Sequence, residues 1–522
     1  MARERWGSRL GVILAVAGSA VGLGNFLRFP GQAATNGGGA FMIPYFVALF
    51  LLGIPLMWIE WTIGRFGGGL EHSTAPGMFH TMWSKNRFIK YFGVIGIFGP
   101  IVIFVYYTYI ESWLLGYSFF ALFRSYDVCK DIDSMGAFLN GYRGLVSNQH
   151  FSSIAPAYVF FLATFLLNLL IMYFGVRKGI ERVCKWALPI LFVFAIVLMV
   201  RVFTLGTPDA AHPERSVNEG LGFLWNPDWS KLLDGKVWLA AAGQIFFTLS
   251  VGIGVILTYA SYLTKKDDVA LSGLTAASAN ETAEVIMGGS IVIPAAVAFF
   301  GVAQISQIVS NEDKSTFDLA CKTMPLVLQH VAFGDVFGFM WFMLLFLAGL
   351  TSSISLAQPA IAFMEDEFDL SKGKATLVFG LVTLVLCQPV IFCLAYGVLD
   401  ELDFWGGNFC LVLFGTVEAI LFAWVFGMEK AWTELHVGSD ITIPKFYRFI
   451  IKYVTPTFLI AILVNWFVQK GWNVILLKDV SAEELPWRLA TRIALALLFL
   501  VLAALVWIAW RRRTRRGTQP CA

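Results

Sequence analysis

Two short motifs in this apolar chain echo each other. Ser19-Ala20-Val21-Gly22-Leu23-Gly24 and Ser250-Val251-Gly252-Ile253-Gly254 each interrupt an apolar run, about half the chain apart. An amide left unsatisfied in lipid is costly, so a membrane helix breaks only where other groups take over its hydrogen bonds. The carbonyls freed at one half-helix suit a small cation, and the amides freed at the other suit a carboxylate. Ser19, Asn25, Thr248, Ser250, Asn280, Thr351 and Ser352 supply neutral oxygen nearby. Close packing through small residues accounts for one such motif taken alone. A matched pair, one in each half, points to the binding site of a secondary transporter.

Four acids fall inside apolar runs, where an unpaired charge is expensive: Glu60, Glu111, Glu284 and Glu418. Glu60 and Glu418 read as caps for amides freed by a break. Glu284, one turn past Asn280, has either a structural or an ionic role. Arg28 follows the first break, and Asp403 lies beside the tenth apolar run. Together they suggest an outer ion pair, which at an exposed surface contributes only about 0–1 kcal/mol.

The elements that must hold these groups are membrane helices. The chain has 522 residues, 58% hydrophobic and 14% charged, with 48 Phe and 18 Trp, far from the quarter charged of soluble domains. Runs long enough to span a bilayer, about 20 residues each, occur near 10–32, 40–66, 91–123, 155–174, 186–206 and 237–263. Six more follow near 270–307, 334–364, 375–397, 399–427, 446–468 and 488–510. The fold class expected is an all-α integral membrane protein of twelve transmembrane helices, two of them broken. Lys and Arg cluster in alternate loops, at Arg65/Lys85/Arg87/Lys90, Arg177/Lys178/Arg182/Lys185, Lys265/Lys266 and Lys372/Lys374. The positive-inside rule then puts both termini in the cytoplasm of a multi-pass plasma-membrane protein. The final Arg511–Arg513, Arg515 and Arg516 anchor the chain on anionic lipid.

Aligning the two breaks groups the spans as five, five and two. Residues 1–206 form a first repeat and 236–427 a second. Residues 446–511 add two peripheral C-terminal helices, and 512–522 a basic cytoplasmic tail. Because five is odd, the second repeat enters the membrane from the opposite side, giving an inverted 5+5 repeat. The seven Cys show no CxxC or metal spacing, and the six His form no HExxH. No P-loop or nucleophile elbow appears, so an enzyme is not expected. A channel lacks its repeated filter segment. The net charge of +3 is local to loops and implies no nucleic acid. Short terminal tails point to a prokaryotic inner membrane.

Residues 18–30 (GSAVGLGNFLRFP), 36–45 (NGGGAFMIPY), 53–65 (GIPLMWIEWTIGR), 106–113 (YYTYIESW), 244–262 (QIFFTLSVGIGVILTYASY) and 349–353 (GLTSS) resemble the neurotransmitter:sodium symporters, most nearly their bacterial leucine-transporting members. The resemblance runs through nearly the whole chain, fading near 124–154 and in the last two spans. It implies a LeuT-like fold and sodium-coupled symport of neutral apolar L-amino acids by alternating access. The alternative is a sodium-dependent amino-acid sensor without turnover, which nothing in the sequence favours.

By the same resemblance, one sodium sits at Ala20, Asn25, Thr248 and Asn280, completed by the substrate carboxylate. A second sits at Gly18, Val21, Ala348, Thr351 and Ser352. The carboxylate meets Leu23, Gly24 and Tyr107, and the ammonium meets Ala20, Phe247, Thr248 and Ser250. The side chain contacts Ile103, Tyr107, Phe247, Ile253, Ser352 and Leu356. Tyr107 and Phe247 form a lid, Arg28 and Asp403 an outer gate, and Arg3, Trp6, Tyr262 and Asp366 a cytoplasmic gate. Gly22 replaces the Asp of monoamine carriers, which favours a substrate with its own carboxylate. Glu284 replaces a small polar residue of chloride-dependent members, so no chloride requirement is expected. Ile253, Leu356 and Ile103 stand where the leucine-transporting members have Phe, Ile and Val, so aliphatic side chains fit and aromatic ones are left open. The expected partners are a small neutral amino acid and membrane lipid; a homodimer is left open.

Overall fold

A computed structural model describes residues 4–310, 316–478 and 480–515. Apart from one bridge between Gly38 and Pro227, no strand occurs among them. The first broken helix consists of α1 (Arg9–Ala20) and α2 (Gly24–Thr35), bent by 44°. Then come α3 (Gly39–Gly68), α4 (Ile89–Leu122), α5 (Ala155–Tyr173) and α6 (Val176–Phe203). The second broken helix comprises α7 (Gly235–Thr248) and α8 (Val255–Ala260). The other long apolar helices are α9 (Val269–Val302), α10 (Gly334–Phe368), α11 (Lys372–Phe392), α12 (Val398–Val425), α13 (Phe446–Ile475) and α14 (Leu485–Arg515); shorter helices such as Ile132–Tyr142 and Thr316–Gln329 lie in the connections.

Among the described residues ten helices are long and apolar enough to cross a membrane, or eleven with α1–α2 as one span. The sequence suggests twelve, and the difference lies at 237–263. There, 14 and six helical residues are separated by a stretch too long for the two pieces to read as one helix.

The broken helices lie at the centre. α1 packs against α6, α9 and α10, while α7 and α8 both pack against α3. α10 runs along α4, the most enclosed of the spans, with 89% of its apolar window buried. α13 leans on α12, and α14 touches α4 and Val398–Leu402. Only 28% and 22% of the α13 and α14 windows are buried, which makes them peripheral.

The second break is set by backbone chemistry. Ser250, Gly252 and Gly254 have φ of 53°, 76° and 89°, a region in which only glycine is comfortable. A Cβ at Gly252 would stand 2.3 Å from the Leu411 carbonyl oxygen, and one at Gly254 would stand 2.4 Å from that of Gly96. The break therefore lies pressed between α12 and α4. Glu60, fully buried, accepts the Gly252 N–H through Oε1, so a side-chain carboxyl oxygen replaces the lost helical acceptor. Glu418 lies against Glu60 rather than against a freed amide.

Candidate functional site

The two breaks meet. The Ser250 hydroxyl donates to the Ser19 carbonyl at 2.8 Å, joining them directly. α1 stops at Val21, whose ψ of 85° leaves the helix. Gly22 N–H then turns to the Asn25 side-chain oxygen at 2.8 Å, and Leu23 N–H donates to the Tyr107 hydroxyl at 3.1 Å. Amides released by the first break are thus answered by one side chain of α2 and one of α4.

Behind them sits a buried cluster of oxygens. Asn25 Nδ2 donates to Asn280 Oδ1 at 2.8 Å and lies 3.3 Å from Thr248 Oγ1. The position of Asn280 Oδ1 is 3.1 Å from the Ala20 carbonyl oxygen and 3.2 Å from that of Thr248. Acceptors that face one another need a donor or a cation between them, because oxygens repel at that range. Turning the Asn280 amide over supplies an N–H, and a small cation supplies the same compensation without turning it. A carboxyl group stands behind these oxygens: Glu284, fully buried, accepts from Gln244 Nε2 at 2.8 Å and pairs with the Thr248 hydroxyl.

A second group forms between α1 and α10. Ser352 Oγ lies 3.0 Å from the Ala348 carbonyl, 3.1 Å from that of Ser19 and 3.4 Å from that of Gly18. One hydroxyl proton serves one of these three acceptors. Thr351 is the closest neighbour a Gly18 Cβ would meet, at 3.2 Å, and its own hydroxyl returns to the Leu347 and Ala348 carbonyls.

Between the breaks lies a cavity of about 40 Å³, room for no more than a few waters. Ala20, Gly24, Ile103, Tyr107 and Phe247 line it, as do Thr248, Ser250, Ile253, Ser352 and Leu356. Leu23 joins through its amide instead. Ser19, Gly22 and Asn25 also reach the cavity, and so does Leu411 of α12, which no sequence signal marks because it is an apolar residue in an apolar run.

Phe247 closes one side. Its ring edge lies where a Gly24 Cβ would approach to 2.7 Å, and the Arg28 guanidinium sits over its face at 4.4 Å. Arg28 and Asp403 do not form a direct ion pair. Asp403 instead accepts from the Tyr106 hydroxyl at 2.6 Å and from Asn408 at 3.0 Å.

Near the start of α1, Trp6 Nε1 donates to the Tyr259 carbonyl at 2.9 Å. Its ring packs edge-on against Tyr259 and Tyr262. Asp366 accepts the Ser73 N–H at 3.1 Å, and the Tyr262 hydroxyl accepts from Gln358 at 2.9 Å. Arg3 lies outside the described residues. The structure adds clasps absent from the sequence reading. Glu4 pairs with Lys372, and Glu181 accepts Gly7 N–H at 2.7 Å and the Ser8 hydroxyl at 3.1 Å. Arg9 bridges Asp268 and Asp440 at 3.1 and 2.6 Å.

Two helices broken at the centre of a helical membrane bundle, with a small cavity between the breaks, define a membrane transporter of the broken-helix kind. Residues 3–511 match the sodium:neurotransmitter symporter family, and the chain belongs to it. An uncharacterized sodium-dependent transporter of Methanocaldococcus jannaschii is 32% identical over 483 residues, covering 88% of this chain and 90% of that one. A sodium-dependent nutrient amino acid transporter of Drosophila melanogaster is 25% identical, covering 97% and 83%. The crystal structure of MhsT in complex with L-phenylalanine superposes with a TM-score of 0.75 at 30% identity, over 89% of this chain and 99% of that one. The bundle therefore has the LeuT-like fold.

Proposed function

We propose that the chain is a sodium-coupled symporter of neutral apolar L-amino acids that works by alternating access. The observation that carries this reading is the convergence of the Ala20 and Thr248 carbonyls with the Asn25 and Asn280 side-chain amides beside the cavity. In the proposal, one sodium enters there with Asn25 and is completed by the carboxylate of the substrate. The carboxylate meets the Tyr107 hydroxyl and the amides of Leu23 and Gly24; the ammonium meets Ala20, Phe247 and Thr248 carbonyls and the Ser250 hydroxyl. A second sodium is held by Gly18, Val21, Ala348, Thr351 and Ser352. Ile103, Ile253 and Leu356 face the side chain.

Sharing one carboxylate between ion and substrate makes each strengthen the binding of the other, by the same factor in both directions. Inward movement down the sodium gradient then carries the amino acid. Glu284 supplies the fixed negative charge beside the first sodium, so chloride is not required. MhsT with its bound phenylalanine and the fly nutrient amino acid transporter support an amino-acid cargo. In this reading residues 1–206 and 236–427 are inverted repeats, both termini are cytoplasmic, and the Trp6 segment is the inner gate.

The test is uptake of radiolabelled leucine into proteoliposomes under an inward sodium gradient, then with potassium in place of sodium. Accumulation that needs sodium and is lost in Asn25→Ala and Thr248→Ala is expected. Sodium-dependent binding without accumulation supports a sensor instead, and no sodium effect with any neutral amino acid refutes the ion sites.

A further inference from the structure

Two cavities flank the lid, and they share only Phe247 and Leu411. The inner one is the 40 Å³ space between the breaks. The outer one, of about 290 Å³, is lined on its apolar side by Leu239, Phe246, Val412, Ile462, Leu463 and Trp466. A single layer of side chain therefore separates a space too small for a large substrate from one with ample room.

Of the two shared residues, Phe247 is held twice, with its ring edge against Gly24 and one face beneath the Arg28 guanidinium. Leu411 is different. Its backbone is held, since its carbonyl oxygen abuts Gly252. Its side chain faces the inner cavity on one side and open volume on the other, so a change of rotamer moves it from one to the other.

We propose that Leu411 is the movable wall of the side-chain subsite, and that the transporter accepts large aromatic amino acids by displacing Leu411 into the outer cavity. This inference rests on the substrate reading above and deepens it. Small aliphatic side chains leave Leu411 in place. An indole or phenyl ring needs the extra depth, and the outer cavity receives the displaced isobutyl group.

The experiment measures sodium-dependent binding of leucine and of tryptophan to purified wild-type protein, Leu411→Ala and Leu463→Trp. Leu463 lines only the outer cavity, so its enlargement blocks the receiving space without reaching the inner one. Wild type is expected to bind both amino acids. Leu411→Ala should raise the tryptophan-to-leucine affinity ratio about tenfold, and Leu463→Trp should lower it about tenfold with leucine unchanged, the scale of one or two methylenes in a pocket. A ratio within about threefold of wild type in both variants overturns the inference alone, as does wild-type protein that binds leucine but not tryptophan. Wild-type protein that binds neither amino acid with sodium overturns the substrate reading and this inference with it. If Leu411→Ala does not fold, Leu463→Trp decides the matter by itself.

Discussion

Tyr107→Phe tests the shared-carboxylate mechanism with a single atom. The Tyr107 hydroxyl accepts Leu23 N–H at 3.1 Å and borders the cavity, which leaves its proton directed at whatever anion enters. Deleting it removes one hydrogen bond to a carboxylate, a loss of about 1.5–3 kcal/mol, equivalent to about 10- to 150-fold in Kd. Leu23 N–H can still donate to the substrate, so the loss should not exceed that range. Leucine binding at saturating sodium is the primary assay. Because ion and substrate share the carboxylate, a second readout follows. Whatever part of the loss in leucine affinity appears only with sodium bound must appear equally as a loss in the degree to which leucine tightens sodium binding, while sodium binding without leucine stays unchanged. Leucine affinity within about threefold of wild type refutes the assignment of Tyr107 to the carboxylate. A fall in sodium affinity without leucine refutes it from the other side, showing that the hydroxyl shapes the ion site instead.

Glu284→Ser should make leucine uptake depend on external chloride, checked by replacing chloride with gluconate; wild-type uptake should not change. Gly252→Ala should abolish transport and lower the melting temperature, since its Cβ meets a carbonyl at 2.3 Å and φ is 76°; normal uptake by this variant refutes the strained break. Arg492 donates two bonds to the buried Glu401 at 2.8 and 3.0 Å. Arg488 remains 3.5 Å from Glu401, so Arg492→Ala should destabilise by about 1.5–3 kcal/mol, and Arg492→Leu combined with Glu401→Leu should recover most of that in a thermal melt.

The polar part of the site was legible because polar residues in apolar runs are few. Asn25, Thr248, Asn280 and Ser352 stand out against Leu, Ile and Phe, and the glycines at 22, 24, 252 and 254 mark where helices stop. Leu411 was not legible: it differs in no way from the dozens of leucines that pack or face lipid, and only the topology brings α12 to the cavity. The outer gate shows a second limit. Arg28 and Asp403 have opposite charge and suitable positions, yet Tyr106 and Asn408 occupy the carboxylate while an aromatic face occupies the guanidinium. Sequence shows which groups attract and not which competitors stand closer. Glu401 and Arg492 make the same point, since nothing local links residues 91 positions apart.

The clasps on the segment from Glu4 to Arg9 bear on timing. The Glu4–Lys372 and Arg9–Asp440 pairs are partly open to solvent, with side chains 26% exposed in the first and 39% and 61% in the second. At about 0.5 kcal/mol each, the two together slow release of the segment about fivefold. Mobile ions weaken such pairs, with a screening length of about 8 Å at physiological strength. In the inner gate proposed above, salt on that face would therefore ease release of the segment separately from sodium at the central site, and an inert electrolyte such as choline chloride would do so without entering that site.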